Sequence, residues 1–179
     1  HLEDNRFDIN NFPAWFISFG GSPFWQWRRF DGQGMADAAA GDFDGDGVSD
    51  EMRRRSSGWQ MSKGAREEWT PLNSLNTQVS ALRFGDFVGD ARTDIIRDAG
   101  DHWQVSDGGQ AGWAKLLTTN KALSDAAFHD FGGDGKTDVF FADGNGWTII
   151  ESFEPPVRAY YNEPFKLSEL RFGQFIGDG

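Results

Sequence analysis

The sequence predicts an all-β protein, a β-propeller of four-stranded blades, and three observations carry that expectation. One acidic pattern returns every 44 residues, as DFDGDGVSD from Asp42, DFVGDARTD from Asp86, DFGGDGKTD from Asp130 and QFIGDG from Gln174. Unrelated residue types keep the same register without insertion or deletion. Trp15, Trp59, Trp103 and Trp147 form one series, Trp25, Trp69 and Trp113 with Val157 a second, and Phe84, Phe128 and Phe172 with Ala40 a third. Within each unit the apolar alternation has period two, and no stretch combines sustained helical spacing with caps.

The units run over about residues 1–41, 42–85, 86–129 and 130–173, with 174–179 completing the first, and together they make a single domain over 1–179. In the clearest unit LRFGDF reads as the first strand and TDIIRD as the second. HWQVSD follows as the third after Ala99-Gly100, and GWAKLL as the fourth after Gly108-Gly109. The stretch from Asn120 to Ala127 is one turn linking units. Four strands per unit are what a propeller blade requires, each sheet burying its faces against its neighbours. The amino-terminal segment reads RFDI, AWFISF and FWQWRRF, a second, third and fourth strand, and the carboxy-terminal LRFGQF supplies a first strand. The expected closure is therefore a four-bladed ring with a three-plus-one strand latch. The alternative is part of a seven- or eight-bladed ring.

Composition narrows the partners. With 17 basic against 28 acidic residues the chain carries a formal charge of -11, which would repel phosphate backbones and excludes nucleic acid as an expected partner. A cation suits it better. No apolar run is long enough to span a bilayer, so membrane insertion is not expected. With no cysteine, neither disulfides nor thiolate metal sites are available. Three histidines, His1, His102 and His129, lack zinc-site spacing, and nucleophile-elbow and phosphate-loop motifs are absent, so the chain does not read as an enzyme.

Four carboxylates within nine residues repel one another unless a cation sits among them. The D-x-D-x-D-G order is the oxygen-rich arrangement that Ca2+ favours, with about six to eight ligands at roughly 2.3–2.6 Å. In the first copy the candidate ligands are Asp42, Asp44, Asp46 and Asp50 with the Val48 carbonyl. The second copy offers Asp86, Asp90 and Asp94 with Arg92 at the carbonyl position, and the third Asp130, Asp134 and Asp138 with Lys136. An EF-hand would place a glutamate at the twelfth position, where Arg53, Arg97 and Phe141 stand instead. The ninth-position aspartate closes the site. Ranked by carboxylate count and turn compatibility, the first loop should bind best, then the third, then the second. The alternative is a metal-free Asx-turn, because Asp-Gly pairs favour tight turns without an ion.

These loops resemble the FG-GAP or VCBS-type repeats of integrin α-subunit propellers and of many secreted bacterial and fungal proteins, and the resemblance spans nearly the whole chain. It implies a β-propeller fold, structural Ca2+ in the loops between the first two strands, and an extracellular role in adhesion or ligand binding, lectin activity included. The departures are Val88 and Ala91 in the second copy, Gly132 in the third and Gln174 in the last.

The expected function is a calcium-stabilised, non-catalytic binding module, secreted or on a cell surface, whose ligand is a carbohydrate or surface glycoconjugate. A structural or assembly module of a larger adhesin, forming homo-oligomers through its blade edges, is the alternative. The tryptophans of the Trp15 series are expected to pack between sheets. Trp69 and Trp113 open outer strands and suit either packing or ligand contact. Trp27, Tyr160 and Tyr161 escape the repeat and are the further candidate ligand contacts.

Overall fold

In the computed structural model the described residues are 15–18, 25–28, 37–154 and 157–173. They are all-β. Strands β1 (Trp15–Ser18) and β2 (Trp25–Arg28) pair as an antiparallel ribbon. The first sheet holds β3 (Ala38–Gly41), β4 (Asp50–Arg55), β5 (Gly58–Ser62) and β6 (Thr70–Asn73). The second holds β7 (Leu82–Gly85), β8 (Asp94–Asp98), β9 (His102–Ser106) and β10 (Ala114–Thr118). The third holds β11 (Ala126–His129), β12 (Asp138–Ala142), β13 (Gly146–Ile150) and β14 (Val157–Tyr161). Each four-stranded sheet is an antiparallel meander in chain order. The helices among the described residues are 3₁₀ turns, one of them the link at Leu123–Asp125, and none of them is long and apolar enough to cross a membrane.

Period-two alternation explains how the sheets stack. Successive residues of a strand face opposite sides, so in β8 Ile95 enters the core shared with the first sheet, beside Phe43, Met52, Trp59 and Leu82. Its neighbour Ile96 enters the core shared with the third sheet, beside Trp103, Val139, Phe141 and Phe153. The second sheet is thus covered on both faces. Trp59 and Trp103 are fully buried, as the 44-residue series leads one to expect. Each indole N–H finds a carbonyl 18 residues on, Trp59 at Thr77 and Trp103 at Lys121, and Trp147 repeats the bond at Phe165.

Successive units are also stitched at the backbone. The Thr93 N–H donates to the Asp42 carbonyl at 2.6 Å, and the Thr137 N–H to the Asp86 carbonyl at 2.7 Å. The same threonines press on Gly41 and Gly85, where an added Cβ would lie 2.6 Å from a threonine side-chain atom, so only glycine fits. His129 occupies the equivalent place in the third unit, where no threonine approaches among the described residues, and its ring meets Phe131 edge-on.

Residues 170–173 carry no strand, in contrast to the first strand expected from LRFGQF, and 174–179 lie outside the described residues. A first strand is held by the second strand of its own unit, and none follows residue 173 among the described residues. Phe172 nonetheless makes the contact of its series. Phe84 packs edge-on to Phe43 at 6.1 Å, Phe128 to Phe87 at 5.9 Å and Phe172 to Phe131 at 5.5 Å.

Trp103→Ala removes the largest side chain between the second and third sheets and strands the Lys121 carbonyl. Urea denaturation should show a loss of about 3–5 kcal/mol, against less than about 0.5 kcal/mol for Tyr161→Ala on the exposed edge.

Candidate metal centre

Each acidic loop joins the first and second strands of its sheet, and the three share one internal geometry. The first aspartate folds back over its own loop. Asp42 Oδ1 accepts N–H groups from Gly45 and Asp46, and its Oδ2 accepts that of Gly47. Asp86 does the same with Gly89, Asp90 and Ala91, and Asp130 with Gly133, Asp134 and Gly135. The fifth-position aspartate then accepts the amide two residues on, so Asp46, Asp90 and Asp134 receive Val48, Arg92 and Lys136. Ala91 stands at φ 67° where the other loops have Gly47 and Gly135 at 82° and 87°, a left-handed turn that glycine tolerates better than alanine.

The ninth-position aspartates are the buried members. Asp50, Asp94 and Asp138 are at most 1% exposed. One oxygen of each holds the start of the loop: Asp50 Oδ2 takes Phe43 N–H, Asp94 Oδ2 takes those of Phe87 and Val88, and Asp138 Oδ2 takes those of Phe131 and Gly132. The other oxygen reaches the turn after the third strand, at Gly64, Gly108 and Ser152. Burial pushes the Asp50 and Asp94 carboxyls above their ordinary value, and these N–H bonds oppose it.

Two carboxylate groups among the described residues converge tightly enough to hold a metal ion. In one, ligand oxygens of Asp42, Asp44 and Asp50 lie within 4.8 Å of one another, and in the other those of Asp90, Asp94 and Asp107 do. Oxygens on opposite sides of a Ca2+ ion are about 4.6–5.2 Å apart, twice the usual bond length, so the spacing fits such an ion without specifying it. The first group contains three of the four carboxylates expected there. The second omits Asp86 and adds Asp107. The third loop, expected to outrank the second, gathers no such group among the described residues.

Asp107 and its counterparts were not legible as site residues, although their signal lies in the repeat, 13 residues after the buried aspartate. That position is Lys63, Asp107 and Glu151 in the three units. Where the loop has Asp44, the turn supplies a cation, and Lys63 Nζ lies 2.5 Å from the Asp44 carboxylate. Where the loop has Val88 or Gly132, the turn supplies an acid. A Cβ built on Gly132 would lie 3.6 Å from the Glu151 carboxyl carbon, so Glu151 stands in for the missing aspartate. Basic side chains already face each group. The Lys63 hydrogen bond holds the Asp44 carboxyl below its ordinary value. Arg92 bridges Asp90 and Asp107 at 2.5 and 2.6 Å, and Arg158 pairs with Glu151. Against the upward push of burial, the Arg92 bonds hold the Asp90 carboxyl low. Asp134 is also lowered, first by the Lys136 N–H and then by the Ser152 hydroxyl.

The aromatic candidates are dispersed. Trp69 is half-buried under the Arg53 and Arg55 guanidinium groups at 5.0 and 5.5 Å. Trp113 lies under Arg97 at 4.3 Å and packs edge-on to Trp59 at 5.9 Å. Tyr160 and Tyr161 lie on the outer strand β14, 44% and 80% exposed. Trp27 sits in β2 opposite Phe16. No protein-family model matches the chain, and no curated protein matches it.

Asp94→Ala leaves the buried amides of Phe87 and Gly108, and the part-buried amide of Val88, without an acceptor, and each buried one costs roughly 1–3 kcal/mol. Chemical denaturation should show a loss of about 3 kcal/mol or more, whereas Asp90→Ala, which removes a solvent-facing partner of Arg92, should cost less than about 1 kcal/mol.

Proposed function

We propose that this chain is a calcium-stabilised β-propeller of FG-GAP or VCBS type, acting outside the cell as a non-catalytic binding module for a carbohydrate or surface glycoconjugate. The observation that carries the reading is the convergence of Asp42, Asp44 and Asp50 within 4.8 Å in a loop whose geometry recurs in every described unit. A Ca2+ ion held there would be bound by those carboxylates, with Asp46 and the Val48 carbonyl as nearby oxygen donors, and would offset their mutual repulsion. It would have to displace Lys63 from Asp44, an exchange of one cation for another of higher charge. Arg92 already fills the second acidic group and the third loop gathers no trio, so the first loop is the principal site. Weak sites of this class, with Kd of about 10⁻⁴–10⁻³ M, fill only where calcium is millimolar, which favours a location outside the cell.

Stacked four-stranded meanders joined by recurring threonine and phenylalanine contacts support the propeller. A four-bladed ring would close where the carboxy-terminal LRFGQF segment joins the amino-terminal strands in one blade, and the alternative is a larger ring. Carbohydrate is favoured as ligand because tyrosine and tryptophan faces pack against sugar C–H surfaces while their polar tips stay wet. Tyr160 and Tyr161 are the accessible pair. The assembly reading draws on a different observation: all five residues of edge strand β14 are exposed, leaving its outer backbone open to pairing with another chain.

One experiment tests both halves, a thermal melt and a glycan-array profile of the same protein with calcium and with EDTA. A ligand binding only the folded state stabilises it by about 2.7 kcal/mol at a hundredfold excess over Kd. Calcium should therefore raise Tm well beyond an equal ionic strength of NaCl, and magnesium should do so less. The array should show selective glycan binding that weakens in Tyr161→Ala with Tm unchanged. A melt indifferent to EDTA refutes the calcium site. A blank array with self-association at high concentration favours assembly.

A further inference from the structure

A second feature lies away from the acidic loops, at the turns that link one unit to the next. A cleft of about 470 Å³ opens between the link before β11, the end of β12 and the link after β14. Its floor is Phe141 and Leu167, and its charged lining is Lys121, Lys166, Asp125 and Asp143. The volume falls within the roughly 300–1,000 Å³ typical of small-molecule sites.

The repeat itself marks these residues as exceptional. One period earlier, the places of Lys121, Asp125, Asp143 and Lys166 are taken by Thr77, Ala81, Ala99 and Ala122. All four charges in the cleft are therefore absent from the preceding unit, which has the same fold and the same links. Conversely Arg97 of that unit, which lies over the Trp113 ring, is replaced in the cleft by Phe141. Stacking of the sheets does not require the charges, since the first and second sheets pack without them.

The two lysines make no close salt bridge among the described residues, although the Asp143 carboxyl, held below its ordinary value first by the Asn145 N–H, also feels the Lys121 charge. Lys121 Nζ lies 5.1 Å from the Phe141 ring centroid, and Lys166 spends its backbone N–H on Glu169. Neither makes an ion pair among the described residues, whereas Lys63 and Arg92 both do. Asp143 is oriented by the N–H groups of Asn145 and Gly146, and Asp125 by that of Ala122. Their carboxylates are fixed acceptors beside an apolar floor.

We infer that this cleft binds an acidic monosaccharide of the uronic acid class. Its carboxylate pairs with Lys121 and Lys166, a hexose C–H face rests on half-buried Leu167 beside the small exposed part of Phe141, and ring hydroxyls donate to Asp125 and Asp143. Two ammonium groups suit an anion, an apolar floor suits a ring face, and two carboxylates suit a polyhydroxylated ligand over a plain organic acid. The inference rests on the glycan-binding reading only for the choice of a sugar as carrier of the carboxylate.

The test is titration calorimetry of the full chain with D-glucuronic acid, D-glucose and acetate. Glucuronic acid should bind at least about tenfold tighter than either control, because its charged hydrogen bonds and its ring contacts are both required. The Lys121→Gln/Lys166→Gln variant should lose roughly tenfold or more with Tm unchanged, while Lys121→Arg/Lys166→Arg and Lys115→Gln on β10 should retain binding. Equal affinity for glucose, or unchanged glucuronic acid binding in the double glutamine variant, overturns the site. Neutral glycans captured on an array by a protein that ignores glucuronic acid also overturn it, leaving the broader reading standing. Lysine-dependent glucuronic acid binding establishes it even where neutral glycans fail.

Discussion

The buried carboxylate at the end of each acidic loop is the constraint on which the rest depends. Asp50, Asp94 and Asp138 are removed from water between the strands they connect, and a buried charge is tolerated only where it is hydrogen-bonded or paired. Each meets that demand with backbone N–H groups from both sides, one oxygen for the loop and one for the turn after the third strand. One side chain therefore fixes two irregular segments against each other, and those segments carry every other acidic candidate. The turn it holds has consecutive left-handed residues, including the non-glycine pair Ser152 and Phe153 in the third unit. Such conformations persist when the surroundings determine them, and the Ser152 amide bonded to Asp138 is part of that determination.

Charge balance is then solved unit by unit. The third loop position and the first residue of the turn vary together as Asp44 with Lys63, Val88 with Asp107 and Gly132 with Glu151. The scaffold thereby keeps acidic groups beside the buried aspartate while changing which segment supplies them. Added cations follow the same logic, with Arg92 lying between Asp90 and Asp107 and its stem packed over Gly45 of the preceding loop. Electrostatics within one loop and packing between neighbouring loops are consequently carried by the same side chain.

Much of this fold is legible in the sequence because strand alternation and a fixed repeat leave few choices. TDIIRD gives β8 with Ile95 and Ile96 on opposite faces, and the tryptophan series identifies Trp59 and Trp103 as core. The loops are legible as candidate cation sites because four carboxylates in the first copy demand an explanation. Asp107 and Glu151 were not, since they reach the loops from another turn and pattern reading within one loop cannot see them. Arg92 was expected only through its backbone carbonyl and Lys63 not at all, as spacing does not reveal which cation a flexible side chain brings. The packing of Trp113 against Trp59 joins residues 54 apart, more than one repeat length, and the period alone does not distinguish it from an exposed platform.

The most direct test of this account is native-state hydrogen exchange, residue by residue, at the amides bound to the buried carboxylates. Phe87, Val88 and Gly108 donate to Asp94 from segments that otherwise look like surface loops. If Asp94 fastens them, their amides exchange only with global unfolding, at the rate of core strands such as β8, while Gly89 and Asp90 in the exposed loop exchange faster. Exchange of Phe87 and Gly108 as fast as that of Gly89 would contradict the account.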